Sequence, residues 1–202
     1  MNQHLEIKFQ QGSLIFNDAC LFEKTCLYKQ MDFLSTVYDN RTKEYRAPAN
    51  YYREIILAAK RDGATLQDSA RKYKSLSTSS IKQKITPRKH QEKALKSWND
   101  EKKSGVVVLP TGSGKTILAV MAIMNTMRST LVIVPTIDLV EQWYSVLKKY
   151  FNIPIGRIGG GVKEWEDITI STYDSAQLFI ESKGNQFGML IVDECHHLPA
   201  PG

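Results

Sequence analysis

Gly112, Gly114, Lys115 and Thr116 are the residues whose types and spacing first suggest chemistry. They close the stretch Val-Val-Val-Leu-Pro-Thr-Gly-Ser-Gly-Lys-Thr (106–116), in which an apolar run stops at a glycine-rich turn. Where such a turn opens a helix, successive backbone N–H groups from Gly112 through Ser113 and Gly114 to Thr116 can converge on phosphate oxygens, and the helix dipole adds a positive field. Lys115 is then placed to reach the β and γ phosphates of a nucleotide, and the Thr116 hydroxyl to ligate a magnesium ion. The pattern G-x-x-x-x-G-K-[ST] is incomplete, because its first glycine falls at Leu109. An ordinary glycine-rich turn is the alternative. A second piece of chemistry lies 78 positions after Lys115, where Met-Leu-Ile-Val-Asp-Glu-Cys (189–195) carries an apolar run into two acids. Asp193 at a strand end would hold the magnesium through water, and Glu194 would orient and activate an attacking water. A hydrophobic run before Asp-Glu is commonly structural on its own; downstream of a phosphate-binding turn it points to nucleotide hydrolysis.

Those residues need a strand and a helix to position them. Gly105 to Leu109 has the composition of a strand buried on both faces, and Thr116 to Arg128 carries Ile117, Val120, Met121, Met124 and Met127 at helical spacing. Further on, a strand is expected at 131–134, an amphipathic helix bearing Leu139, Val140, Trp143, Val146, Leu147 and Tyr150, a turn at Gly159-Gly160-Gly161, a strand at 168–171, and a helix from Asp174 to Lys183 closed by Gly184. Strands and helices thus alternate from 105 to 193, the signature of an α/β domain with a parallel sheet. Upstream, residues 5–16 alternate as a hairpin turning at Gly12-Ser13, residues 17–47 read as short strands and loops, Pro48 to Arg61 as an amphipathic helix, and 66–73 as a further helix. Ser-Leu-Ser-Thr-Ser-Ser (75–80) has linker composition, which puts a domain boundary near 84. Thr86-Pro87 then offers an N-cap and first-turn proline to a helix with Gln91, Ala94, Leu95 and Trp98 on one stripe.

With 202 residues, 42% hydrophobic and 24% charged, the chain has room for one or two globular domains. It contains no run of 18 apolar residues and no signal-peptide pattern, so the expectation is a cytoplasmic protein without a membrane partner. Cys20, Cys26 and Cys195 fit no metal spacing and read as packing residues. The net charge of +6 is carried mainly by the N-terminal part, with 14 basic against 9 acidic residues in 1–84 and 13 against 12 in 85–202. Between Arg71 and Lys93 eight basic residues face only Glu92, a stretch suited either to phosphate-backbone contact or to a solvated surface.

Together these motifs resemble the superfamily 2 helicases, and among them the XPB-type DNA helicases. Leu-Pro-Thr-Gly-Ser-Gly-Lys-Thr (109–116) resembles that family's motif I, where Leu-Pro replaces the opening glycine; Val-Pro-Thr (134–136) with Leu-Val-Glu-Gln-Trp (139–143) resembles motif Ia, Ile-Ser-Thr-Tyr-Asp-Ser (170–175) motif Ic, and Asp-Glu-Cys-His (193–196) motif II. Arg-Lys-His-Gln (88–91) is similar to the family's Arg-x-Tyr-Gln segment, with His90 in place of the tyrosine. The resemblance implies a RecA-like domain that binds ATP and Mg2+. Arg88, Gln91, Thr111, Gly112, Ser113, Gly114, Lys115 and Thr116 would hold the nucleotide, with the Gln91 amide on the adenine edge; Thr116 and Asp193 would hold the metal, and Lys115 and Glu194 would be catalytic. It further implies that His196 couples the ATP site to a second motor lobe, and that Thr136, Gly160 and Thr172 grip the phosphates of one DNA strand. Thr136 serves equally well as a helix N-cap and Gly160 as a turn glycine. Tyr38-Asp39-Asn40-Arg41, Tyr45-Arg46-Ala47 and Tyr52-Arg53-Glu54-Ile55-Ile56 resemble the small α+β damage-recognition domain that precedes the motor in archaeal XPB-type proteins. The expected organisation is therefore residues 1–84 as that domain and 85–202 as the first RecA-like domain. DNA, single-stranded or as distorted duplex, is the implied partner, along with a second motor lobe or a nuclease on another chain.

Only eight residues follow Glu194, and no counterpart of motifs III to VI is present. The expectation from the family is a parallel sheet lacking the strand between the motif I and motif II strands, and a chain that alone hydrolyses ATP weakly or not at all. A binding module without turnover and the motor subunit of a restriction-type nuclease are the competing readings.

Overall fold

The computed structural model describes residues 4–16, 36–61, 63 and 65–197. Residues 17–35, with Cys20 and Cys26, fall outside that description. The chain forms two compact units, Met1–Lys72 with Gln177–Gln186, and Tyr73–Ala176 with Phe187–Gly202.

In the first unit, Ile7 and Phe9 alternate with polar residues, and β1 (His4–Gln10) pairs with β2 (Ser13–Phe16) as an antiparallel hairpin. Gln10 faces Ser13, so the two loop residues are Gln11 and Gly12, at φ 48° and 72°. Positive φ at both positions is the primed turn whose twist matches the flanking strands. The turn therefore falls one residue earlier than its composition suggests. β3 (Val37–Asp39) and β4 (Glu44–Pro48) extend the sheet antiparallel, and β5 (Thr65–Asp68) joins the other edge parallel to β1, giving the order β3-β4-β2-β1-β5. Residues 65–68 are thus strand where a helix is expected, because the open edge of β1 offers four backbone partners that local helical spacing cannot match. Helix α1 (Tyr52–Arg61) buries Ile55, Ala58 and Ala59, an i, i+3, i+4 set, against Ile7, Leu14, Phe16 and Ala47. Residues 177–186 belong to this unit through Gly12 N–H donating to Glu181 O (2.9 Å) and Asn185 Nδ2 donating to Ala70 O (2.8 Å).

The second unit is α/β and RecA-like. Parallel strands β6 (Thr130–Val134), β7 (Ile155–Gly159), β9 (Ile168–Thr172) and β10 (Met189–Val192), with β8 (Val162–Lys163) returning antiparallel on β7, take the order β10-β6-β9-β7-β8. Both β6 and β9 are buried at every position, as strands rich in β-branched residues at the centre of a parallel sheet should be. Helices α2 (Lys89–Asp100), α3 (Lys115–Thr126) and α4 (Ile137–Tyr150) follow the chain, with Val120, Ile123, Val140, Trp143 and Leu147 packed on Val132, Val134 and Ile170. Helix α2 starts at Lys89 with Arg88 at its cap, two residues beyond the Thr86-Pro87 signal. The single helix expected over 174–183 is two short ones, α5 (Tyr173–Gln177) and α6 (Ile180–Lys183). They are interrupted at Phe179, which is buried at φ −127°.

Packing and exposure correct three expectations. Residues 105–109 form no strand, and Val106 and Val108 are 76% and 87% exposed. Among the described residues β10 pairs only with β6, and 105–109 pairs with no strand. Apolar composition makes a strand only where a neighbour supplies the ladder. The serine-rich segment 75–80 is no free linker: Leu76 lies in the second core, its N–H donates to Met127 O (2.8 Å), Asn152 N–H donates to Ser80 O (2.7 Å), and Ile81 bridges Phe151. By packing, residues 73–84 go with the second unit. Cys195 is exposed, so it is not a packing residue.

Candidate nucleotide site and nucleic-acid face

The phosphate-binding turn has the backbone its sequence calls for on the helix side. Gly112 and Gly114 stand at φ 74° and 87°, and α3 starts immediately after, at Lys115. A turn from Pro110 O to Ser113 N–H (3.2 Å) and to the Ser113 hydroxyl (2.6 Å) closes the loop. Lys115 Nζ reaches only Leu109 O at 3.4 Å and has no carboxylate partner among the described residues, and the Thr116 hydroxyl has no hydrogen-bond partner among them. An ammonium left to one long carbonyl contact, beside a helix N-terminus and an unpartnered hydroxyl, suits a phosphate group with a divalent ion.

Gln91 is buried and attached to the same turn. Its Nε2 donates to Gly114 O (3.2 Å) and more weakly to Ser113 O (3.4 Å), and its Oε1 accepts from Arg88 N–H (2.9 Å). His90 Nε2 lies 3.0 Å from Ser113 O. The amide expected on an adenine edge is therefore engaged by the loop backbone, while the Arg88 side chain is exposed. Thr111 is exposed at the loop's start.

The acid pair sits at the C-terminal end of β10 and is held twice. Trp143 Nε1–H donates to Asp193 Oδ2 at 2.8 Å, while Asp193 Oδ1 accepts from Glu194 N–H at 3.1 Å. The Tyr173 hydroxyl donates to Asp193 O and to Glu194 O, the latter at 3.1 Å. Burial, then the negative charges at Cys195, Asp193 and Glu194, push the Tyr173 phenol above its ordinary value, so it remains a donor. Glu194 itself stands at φ 51°, a left-handed conformation that costs a non-glycine residue about 1–2 kcal/mol. His196 Nδ1 is 3.4 Å from Glu194 Oε2; the His197 side chain lies outside the described residues. The Thr126 hydroxyl, at the end of α3, donates to Met189 Sδ at the start of β10 (3.2 Å). No hydrogen bond or ion pair among the described residues joins Lys115 or Thr116 to either acid. Nor do three His, Cys, Asp or Glu side chains converge among them, so a magnesium ion there would draw most of its shell from phosphate and water.

Thr136, Gly160 and Thr172 converge at the C-terminal ends of β6, β7 and β9. A Cβ on Gly160 would lie 3.0 Å from Ile137 Cδ1, and one on Gly159 3.1 Å from Thr172 Cγ2. Both threonine hydroxyls cap helices: Thr136 Oγ1 accepts from Leu139 N–H (3.3 Å), and Thr172 Oγ1 accepts from Ser175 N–H (3.3 Å) while donating to Ser175 Oγ (3.0 Å). These strand ends, with two helix N-termini, are where open α/β sheets bind ligands.

Residues 84–202 match the family model described as "Type III restriction enzyme, res subunit", and residues 25–70 match "Xeroderma pigmentosum group B helicase damage recognition domain". "DNA 3'-5' translocase XPB2" of Sulfurisphaera tokodaii is 40% identical over 165 residues, which cover 82% of this chain and 37% of that protein. The chain belongs to the type III restriction enzyme res subunit family and is of XPB type. "DNA 3'-5' helicase XPB" of Mycobacterium tuberculosis is 36% identical to this XPB-type chain over 111 residues, covering 48% of the chain and 20% of that protein. The chain thus spans well under half the length of the curated relatives it matches. "The crystal structure of T4 UvsW" aligns over 96% of this chain and 48% of that one, with a TM-score of 0.47 and 17% identity. Two residues of the XPB-type chain stand out whose part in the site the sequence did not disclose, Trp143 and Tyr173. Each looks like an ordinary aromatic, on a helical stripe or beside a threonine, and only the tertiary contact with residues 193 and 194 gives it a place in the site.

Proposed function

We propose that this chain is the ATP-binding portion of an XPB-type DNA translocase that acts in the cytoplasm on single-stranded or distorted duplex DNA. The observation that carries the reading is the turn at 112–116, where two left-handed glycines deliver backbone N–H groups, Lys115 and Thr116 to one helix start. ATP would be held by 111–116, with Arg88 at the rim and Gln91 supporting the loop, and Mg2+ by Thr116 and Asp193. Bound ATP with its metal supplies the high-energy phosphoryl group whose hydrolysis drives movement. Glu194, steadied by its neighbours, would accept the proton of the attacking water, and Lys115 would neutralise charge on the phosphate oxygens. His196 beside Glu194 would face the second motor lobe. Thr136, Gly160 and Thr172 would meet the DNA backbone through N–H and hydroxyl groups, which position a strand without reading bases. The 1–72 unit would sense distorted DNA, as the name of the matching domain suggests.

One observation favours a second reading, binding without turnover: residues 105–109 lie outside the sheet, so the loop is anchored only from the α3 and Gln91 side. Lys115→Ala separates the readings. In titrations with a fluorescent ATP analogue and magnesium, the substitution should weaken binding at least tenfold while oligonucleotide affinity holds. Equal affinity in both proteins removes the nucleotide site altogether. Binding with no phosphate release in the parent protein, with or without DNA, leaves the module that binds without turnover.

A further inference from the structure

Strands β6, β7, β9 and β10 run parallel, and the acid pair and the three candidate DNA contacts stand at their C-terminal ends. Where β7 begins, at the other end of the sheet, lies a cavity of about 610 Å³. That is the size of an ordinary ligand cleft. Its floor is apolar, with Phe151 and Ile155 both buried.

Two walls enclose the floor, and each is fastened by the fold. On one side Tyr144, Lys148 and, just past the helix end, Phe151 follow at i, i+4 and i+7 along one face of α4. Lys82 is strapped beside them, because its N–H donates to Tyr150 O (2.8 Å) and the Asn152 N–H donates to Ser80 O (2.7 Å). On the other side the chain carrying Glu164 and Glu166 crosses β7 so closely that a Cβ on Gly156 would stand 2.4 Å from Glu164 O and 2.9 Å from Glu166 N. Thr169 Oγ1 accepts from Glu166 N–H (3.1 Å) and donates to Glu166 O (2.7 Å). A cleft built in advance this way requires little ordering when it is filled.

The walls differ in charge. Among the described residues the Lys82 and Lys148 ammonium groups have no carboxylate partner, and the Glu166 carboxylate has no cation. Glu164 is already engaged: Arg157 Nε donates to it at 3.0 Å, Arg157 Nη1 donates to Glu141 at 3.1 Å, and the guanidinium lies 4.2 Å from the Tyr144 ring centroid. Two ammonium groups on one side, a carboxylate on the other and an apolar floor between them are what an incoming group meets. A nucleic-acid backbone would find the lysines but would also face two glutamates, and it has no apolar group for the floor. A peptide with an apolar side chain between an acidic and a basic residue satisfies all three surfaces.

We propose that this cavity is a docking site for a segment of another protein, which lays an apolar side chain over Phe151 and Ile155, a carboxylate toward Lys82 and Lys148, and a basic group toward Glu166. A partner held there leaves the C-terminal ends of the strands open. The docking site does not depend on the nucleotide reading.

The probes are fluorescein-labelled peptides with a central phenylalanine, two glutamates on one side and two lysines on the other, made in both orders, and the same peptides with glutamine at every charged position. In anisotropy titrations with the full chain, one charge order should bind with a dissociation constant of about 100 μM or lower, and about tenfold more tightly than its glutamine counterpart. Lys148→Glu should weaken that binding at least about tenfold and Glu166→Gln at least about threefold. Both side chains are exposed, so thermal unfolding should remain like that of the parent. Charged peptides that bind no better than the glutamine peptides overturn the proposal, as does parent-like peptide affinity in Lys148→Glu. A 20-nucleotide oligothymidylate whose affinity falls in Lys148→Glu while peptide affinity holds would make the cleft a nucleic-acid surface and overturn it too.

Discussion

Gly114 is constrained twice. Its φ of 87° lies where a side chain costs about 1–2 kcal/mol, and a Cβ there would stand 2.6 Å from Gln91 Nε2. The Gln91 amide cannot retreat without giving up Gly114 O and Arg88 N–H, and it is buried, so water does not replace them. Gly114→Ala should therefore destabilise the second unit by about 2–4 kcal/mol, combining the strain with an unsatisfied buried amide, and weaken analogue binding at least tenfold. Denaturant unfolding followed by tryptophan emission, which comes from Trp98, Trp143 and Trp165 of the second unit, measures the first effect and titration the second. Parent-like stability would mean that Gln91 is freer than its contacts indicate. In the same geometry Gln91 steadies the loop, a contact that the resemblance to an adenine-binding glutamine did not disclose.

At the scale of elements, α4 and α5 begin at the sheet's C-terminal edge, each capped by a threonine that is also a candidate DNA contact. The two roles predict different outcomes. Thr136→Ala removes the acceptor for Leu139 N–H and should cost about 0.5–2 kcal/mol, while Thr136→Ser should restore most of it. If the hydroxyl also meets a phosphate, oligonucleotide affinity should fall in the alanine variant and recover in the serine variant. Stability that falls while affinity stays level would make Thr136 a cap alone. Fluorescence anisotropy with a labelled single strand, beside thermal unfolding, reads both. The apolar run at 106–108 carries the complementary lesson, since an element with strand composition remains outside the sheet when no ladder partner adjoins it.

For the molecule as a whole, the informative boundary is the one between the two units. The family models cover 25–70 and 84–202, and the intervening residues look like a linker by composition. From Tyr73 on they pack instead as part of the second unit, with Leu76 9% exposed among its core residues. Leu76→Ala should destabilise that unit by about 2–3 kcal/mol, the lower range for a buried leucine, and leave the first unit unchanged. Hydrogen exchange resolved by segment tests this: faster exchange in β6 and β9 with β1 and β2 unaltered is the expected pattern, and no change in either would restore 73–84 to the status of a linker. The return of 177–186 to the first unit is a second feature of chain path that no composition signal announced.

Sequence by itself determined the elements whose signals are local. The glycine turn and helix at 112–126, the β6, β9 and β10 strands, the capped helix after Pro135 and the α/β alternation were all legible, because periodicity, glycine and a capping hydroxyl act within a few residues. Tertiary structure decided what depends on distant partners: that 65–68 is strand because β1 has an open edge, that 105–109 is not because it has no neighbour, and that Leu76 belongs to a core. It also decided the surroundings of the acid pair. Asp193 and Glu194 were visible as a strand ending in two acids, but hydrogen bonds spanning 50 residues to Trp143 and 20 to Tyr173 follow from how α4 and α5 pack on the sheet, which no local pattern encodes.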